Sequence, residues 1–470
     1  MLEATTHLVA TDPFLEGNRA PVHEEIDVGD LKVTGRVPDD LAGVYMRNGP
    51  NPKYEPLAYV YPFDGDGMVH AVYFEKGRAR YRNRFVRTAG LAVEDRAGRA
   101  VYGSLANPRP VDASLLRPGD PPLVKNNANI NVIAHAGHYL ALYEADLPYE
   151  ITRELETVGP FDFGGAIQGM TAHPRIDGAT GELHFFNYGF EPPYLTYFVA
   201  DRSGSIVVEQ PIELPAPTMI HDFVITERRV VFFDCPVVFD FALVAKGESP
   251  LQWRPALGTR IIVLDRATPQ APPLIVDTEA FWVFHFVNAY DLGDDEIVVD
   301  FVRHKFLAFG SEEHGHPEPT MHRMRVDVAA QAAEDAPVDD PGRRVEFPRT
   351  NDVLTGRRHR YGYAATRELD RAEGSLWDSA AQFDFDRGSV TVQRFGRGRY
   401  PGEPCFVLRP GAVEEDDGYV VTFVYSAERN KSDLVIVDAR DFDGEPVATI
   451  QLPVRVPYGL HGNWLPIADG

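Results

Sequence analysis

Residues 417–444, DGYVVTFVYSAERNKSDLVIVDARDFDG, decide the fold. Two runs, YVVTFVY (419–425) and DLVIVDA (433–439), are rich in Val, Ile, Phe and Tyr and lie between the turn pairs Asp417-Gly418 and Asp443-Gly444. Short apolar runs fenced by turn residues read as β-strands. The same pattern recurs upstream in VVFFD (230–234), IIVLD (261–265) and EIVVDFV (296–302), with Asp177-Gly178 and Gly293-Asp294 as further turn pairs. Gly (40) and Pro (38) make up about a sixth of the 470 residues and are spread evenly. No long segment repeats apolar residues at helical spacing, and the best helical candidates are short, 327–335 and 366–373. So many short strands need closure, because open sheet edges invite aggregation. Radial repetition in a β-propeller supplies it. Repeats of roughly 40–50 residues with inserted loops predict an all-β chain of about seven blades. No Pro/Ser-rich linker or charge block divides it, so 1–470 reads as one propeller domain, with 311–345 as an inserted loop.

Composition narrows the function. Lys plus Arg is 46 against 70 Asp plus Glu, a formal charge of −24. A nucleic-acid partner needs clustered positive charge, and broad adsorption to anionic lipid is resisted, although a local apolar patch can still dock. No run approaches the roughly 18 apolar residues of a membrane-spanning helix. The N-terminal MLEATTHLVATDPFLEGN lacks the pattern of a secretory signal. Cys235 and Cys405 are the only cysteines, which rules out a disulfide framework and fits a reducing cytoplasm. The expected state is a monomer or weak dimer.

Fifteen histidines are present. His135 and His138 flank a turn, His70 and His184 fall in strand patterns, and His304, His314, His316, His322 and His359 lie among charges or loop residues. Four others differ: His173 in TAHPR, His221 in MIHDF, His285 in FWVFHFVNAYD and His461 in YGLHGNW. An imidazole in an apolar run is costly unless its nitrogens are satisfied. Each taken singly reads as a hydrogen-bonded core histidine. The gaps between them, 48, 64 and 176 residues, approximate one, one and three blades. Inner strands converge on a propeller axis, so the four imidazoles would meet there and suit iron, copper, nickel or zinc. A ligating imidazole usually gives its other N–H to a carboxylate. Glu144, Glu346 and Glu403 stand in apolar strand contexts where that partnership would justify them.

These segments resemble the carotenoid cleavage oxygenase family, which includes apocarotenoid oxygenases, lignostilbene dioxygenases and the retinoid isomerase of the visual cycle. The motifs run nearly end to end: DPFLEGNRAPV (12–22), GVYMRNGPNP (43–52), PFDGDGMVHAV (62–72), NRFVRT (83–88), TAHPR (171–175), MIHDF (219–223), FHFVNAYD (284–291), EFPR (346–349), PGEPCFV (401–407) and LHGNW (460–464). The resemblance implies a seven-bladed propeller under a helical and loop cap. It implies one Fe(II) held by His173, His221, His285 and His461, with Glu144, Glu346 and Glu403 behind them. The implied reaction is scission of a conjugated C=C bond by O2 into two carbonyl fragments, with no organic cofactor.

Substrate signals are finer. Lignostilbene-type members carry a Lys before the first of these glutamates and a Tyr in a G-x-Y-x-N-P segment, both bonding a phenol. Here Tyr143 and Leu105 stand at those positions. A phenol buried without partners costs about 1–3 kcal/mol, which favours a long apolar polyene such as an apocarotenoid over a stilbene or phenylpropene. Ile130 replaces a Thr common in the family beside the open iron position, which implies altered access of solvent and O2 and leaves isomerisation open. Phe63, Tyr143, Phe281, Trp282 and Phe284 are expected along a substrate tunnel, with Leu105 and Ile130. The stretch 236–253, PVVFDFALVAKGESPLQW, falls where the family places a membrane-facing apolar patch. A propeller that binds lipophiles without catalysis is the rival from another class.

Overall fold

A computed structural model of the chain describes residues 15–59, 63–104, 108–144, 146–246, 249–307, 318–340, 342–368 and 377–466, with the backbone alone at 244–246. Seven antiparallel sheets of four to six strands succeed one another along it, and the fold is the expected seven-bladed propeller. Blade 1 is built on Gly43–Arg47, Met68–Glu75 and Arg78–Phe85, and blade 2 runs from Asn131–His135 to Thr157–Pro160. Blade 3 runs from Arg175–Ile176 to Ile206–Glu213, blade 4 from Phe223–Ile225 to Leu274–Thr278, and blade 5 from Trp282–Leu292 to Ala332–Pro337. Blade 6 runs from Arg344–Arg349 to Ser389–Arg394, and blade 7 from Arg399–Pro401 to Ala448–Gln451.

Both ends of the chain close the ring. The last strand, Gly462–Pro466, is the innermost of blade 1, pairing Trp464 with Tyr45. Near the N-terminus, Lys32–Gly35 completes blade 7 against Ala448–Gln451. Closure of this kind leaves no inner edge exposed. The second strand of blade 1, Gly43–Arg47, is buried on both faces, whereas Arg78–Phe85 further out alternates buried with half-buried or exposed residues, the period-2 pattern of a half-solvated sheet. The largest apolar cluster joins blades 3 to 5 through Phe186, Phe223, Phe232, Phe281 and Phe301.

The inner strands of blades 2 to 5 run from the histidine end of the axis to tight turns at the other, as Asn131–His135 does to Ala136-Gly137. The long connections gather at the histidine end and form the cap. Among the described residues they carry one α-helix, Ala89–Ala97, capped by the Thr88 hydroxyl at Leu91 N (3.2 Å) and ended by Gly98 in the left-handed region. They also carry the hairpin Val237–Phe239 with Leu251–Trp253.

Three expectations need correction. Residues 327–335 are not helical: Thr320–Asp327 and Ala332–Pro337 pair as a hairpin, because these alanines supply the outer edge of blade 5, where cross-strand pairing overrides helix propensity. Over 366–373, Thr366 and Arg367 end a strand, and 369–373 lie outside the described residues. The segment 311–345 is no mere insertion, since its described part contributes those two strands and opens blade 6.

Candidate metal centre

The four histidines of unusual context converge. His173 and His221 each precede an inner strand by two residues, and His461 immediately precedes Gly462–Pro466. Local hydrogen bonds fix them: His173 N–H donates to Thr171 Oγ1 (3.1 Å), and His461 N–H to the Ile130 carbonyl (3.0 Å). His285 lies within Trp282–Leu292, where the ladder breaks register between Val283 and Phe286, a bulge of the kind that re-aims a side chain. The candidate donor atoms of all four lie within 4.8 Å of one another, and all four residues are buried. Ring centroids are 4.4 Å apart for His173–His461 and 4.7 Å for His285–His461.

Three of the four are braced from behind. His221 Nδ1 meets Glu144 Oε2, and Glu144 Oε1 accepts the Tyr188 hydroxyl (2.6 Å). His285 Nδ1 donates to Glu346 Oε2 (2.6 Å), while Glu346 Oε1 meets His304 Nε2 (2.8 Å). His461 Nδ1 donates to Glu403 Oε1 (2.9 Å), and Glu403 Oε2 takes Gly462 N–H (2.8 Å) with Arg349 Nη1 at 3.4 Å. A proton fixed on Nδ1 leaves the Nε2 lone pair facing the axis. Burial opposes the charge on Glu346 and Glu403, but His285 outweighs it at Glu346, and Arg349 with His461 at Glu403, so both stay below the ordinary carboxylate range. Among the described residues no carboxylate meets the His173 ring. Burial and the other three imidazoles hold it neutral, well below the usual histidine range.

The set fits a metal ion. His285 Nε2 is buried without a hydrogen-bond partner among the described residues, which is costly for a free imidazole and natural for a ligand. His173 Nε2 and His221 Nε2 are 3.0 Å apart, about the separation of two nitrogens bound at right angles at about 2.1 Å. All-nitrogen, neutral donors suit iron, copper, nickel or zinc and disfavour calcium or magnesium.

Around the site, Phe284 packs edge-on to His221 (5.4 Å), with Trp282 behind it (5.2 Å). Ile130 and Tyr143 are buried together in the apolar cluster between blades 2 and 3. Phe63 is half-buried, and its carbonyl receives Asn127 and Asn129 Nδ2 (3.1 Å each). Phe281 corrects the expectation: it turns into the blade, fully buried against Phe233 and Phe301 with Arg303 over its face. Leu105, His314 and His316 lie outside the described residues.

Sequence reasoning missed three residues at the site. Phe347 packs on His285 (5.5 Å) and His461 (5.6 Å), with φ at +54°, a conformation uncommon for a bulky side chain. Tyr188 holds Glu144, and His304, read among surface charges, is buried against Glu346. Its place directly after Glu346 was the available signal for Phe347; the other two arrive through tertiary pairing.

The chain matches the model of the family described as RPE65, retinal pigment epithelial membrane protein, over residues 19–466. It is 35% identical to a carotenoid cleavage oxygenase of Mycobacterium tuberculosis, covering 97% of this chain and 98% of that one. It is 33% identical to the isoeugenol monooxygenase of Pseudomonas nitroreducens, again over 97% and 98%. The solved lignostilbene dioxygenase of Pseudomonas brassicacearum superposes with a TM-score of 0.89 at 31% identity, covering 97% of this chain and 98% of that one. The chain belongs to the family of the retinal pigment epithelial membrane protein and the carotenoid cleavage oxygenases.

Proposed function

We propose that the protein is a non-haem iron oxygenase in which His173, His221, His285 and His461 hold one ferrous ion and a conjugated C=C bond is split by O2 into two carbonyl products. The observation that carries this reading is the buried four-imidazole set with three Nδ1 protons committed to Glu144, Glu346 and Glu403. When bound, the iron supplies O2 activation. The chain's own work is positional. Its carboxylates fix each imidazole's tautomer, and the rings of Phe284 and Phe347 keep the neighbourhood of the histidines apolar. Tyr143 and Ile130 present an apolar wall to the alkene, so the reacting bond is held in place and water is kept from it.

For the substrate, the residues favour an apocarotenoid or carotenoid. Tyr143 lines a small cap cavity with Tyr102, Asp64 and Lys125, and burial pushes its phenol far above the usual range, so it stays neutral. Lys125 does not replace the missing phenol-binding lysine, because Asp66 (2.6 Å) and Glu94 (2.7 Å) already hold its ammonium. A second reading, cleavage of a stilbene or phenylpropene, rests on the similarity to the isoeugenol monooxygenase and lignostilbene dioxygenase. A lipophilic substrate also gives meaning to the half-exposed Phe190 and Phe241, which pack against each other (4.7 Å) and against Phe239. This patch is where we place peripheral membrane contact; among the described residues no helix is long and apolar enough to cross a membrane.

Iron-loaded protein incubated under air with an apocarotenal, resveratrol and isoeugenol in parallel tests the assignment by product mass. Aldehydes from the apocarotenal are expected. Intact substrate in all three at full iron occupancy would leave only a lipophile-binding propeller. Tyr143→Lys should shift preference toward the phenols, and unchanged selectivity would discard the role given to Tyr143.

A further inference from the structure

Beneath the histidines the propeller axis is hollow. A cavity of about 510 Å³ touches His173, His285, His461 and Glu403 at one end and reaches Ala136, Gly137, Gly178, Val353 and Thr355 at the other. Those residues belong to the turns at which inner strands end, so its mouth faces away from the cap. Its wall carries the polar side chains of Asn131, Arg175, Asp222, Arg349 and Glu403, interleaved with Ile133, Ile176, Phe286, Trp464 and Leu465. Phe284 and Phe347, which pack on the histidine rings, form no part of this wall.

We propose that this axial channel is the path by which the ferrous ion reaches and leaves the four histidines, separate from the apolar cap side that takes the alkene. The inference rests on the metal reading above. Taking a hydrated dication past a wall without polar groups would strip its water without replacement, a penalty of many kcal/mol, whereas the axial wall offers carboxylate, amide and imidazole groups among its apolar residues. Its two guanidiniums do not bar a cation. Arg175 is doubly bonded to Asp222 (2.8 and 2.7 Å), and Arg349 sits between Asp352 (3.1 Å) and Glu403 (3.4 Å). Three carboxylates thus face two arginines, and Asp352 stands at the mouth with its side chain 57% exposed. A fixed excess of negative charge in a narrow passage concentrates cations.

Plugging the channel tests this. Val353→Cys and Ala134→Cys place a thiol on its wall, while the native Cys235 and Cys405 are buried, so a bulky maleimide attaches at the introduced site. Fe(II) uptake by the metal-free full chain, and Fe(II) loss to a chelator, are timed with and without label. The unlabelled variants should load like the parent chain, and label should slow both uptake and loss by about tenfold or more. Label added after loading should trap the iron and leave alkene cleavage unchanged. Uptake and loss at the parent rates despite complete labelling would overturn the channel assignment. So would loss of cleavage on labelling loaded protein, which would give the channel to the substrate. A parent chain that takes up no iron would instead remove the metal reading itself.

Discussion

Blade 3 touches two clusters of metal-competent side chains, and they are opposites. At the axis, His173 meets His221, His285 and His461, with carboxylates outside the ring of imidazoles. At the far end of the same blade, Asp177, Glu182 and His184 also bring their ligand atoms together. The second cluster already has its cation: Arg266 Nη2 reaches Asp177 (2.8 Å), Glu182 (3.2 Å) and His184 Nε2 (3.1 Å). His184 Nδ1 is taken by the Tyr197 hydroxyl (2.6 Å). Residue type is therefore a poor guide to a metal site. What decides is whether the centre of the cluster is filled by a protein charge or left lined with lone pairs.

The sharpest way to break this contrast is to remove one imidazole from each cluster. His285→Ala should abolish iron retention, from about one iron per chain to a trace, while His184→Ala should keep full iron. Elemental analysis after gel filtration reads both, and loss of iron from the second variant would erase the distinction. The next effect concerns Arg266. Arg266→Met leaves Asp177 with Arg357 Nη1 (3.3 Å) as its remaining cation and should lower folding stability by about 1–3 kcal/mol with iron content unchanged; a variant of parental stability would mean that the guanidinium does not hold the cluster. Glu403→Gln at the axis should weaken iron binding by about 10–100-fold, measured by competition with a chelator, and wild-type affinity would show that His461 needs no brace.

The smallest effect is a pH dependence at the second cluster. Burial and Arg266 push His184 down to about 3, whereas in the unfolded chain it takes a proton near the ordinary value of about 6.5. Between these values the unfolded state binds more protons, so stability rises with pH across the window and falls on acidification. The slope is at most about 1.4 kcal/mol per pH unit. Urea unfolding at pH 7.5 and pH 5 should show a larger acid loss in the parent chain than in His184→Gln, and equal losses would contradict the assignment.

Much of this was legible in the sequence because the strongest signals are local. The strand runs between Gly and Pro turns foretold the propeller, and the histidine spacings foretold the blades: His173, His221 and His285 open blades 3, 4 and 5, and His461 lies three blades further round because the last strand closes blade 1. The helix Ala89–Ala97 escaped notice because it is nine residues long and its apolar stripe is weak, although Thr88 and Gly98 mark its ends. Non-local pairing was not legible. His304 ends the strand Glu296–His304 beside Arg303 and Lys305, so it looks solvated until blade 6 brings Glu346 against it. Arg266 lies 82 residues from His184, and nothing in either segment announces that it closes the second cluster.

The central claim is a ferrous ion on the axis held by imidazole nitrogen alone. X-ray diffraction on either side of the iron absorption edge, from crystals of the protein purified under ferrous conditions, tests it most directly. The account predicts one anomalous peak lying between the Nε2 atoms of His173, His221, His285 and His461, at about 2.1 Å from each. An axis without that peak, or a peak at Asp177, Glu182 and His184 instead, would contradict it.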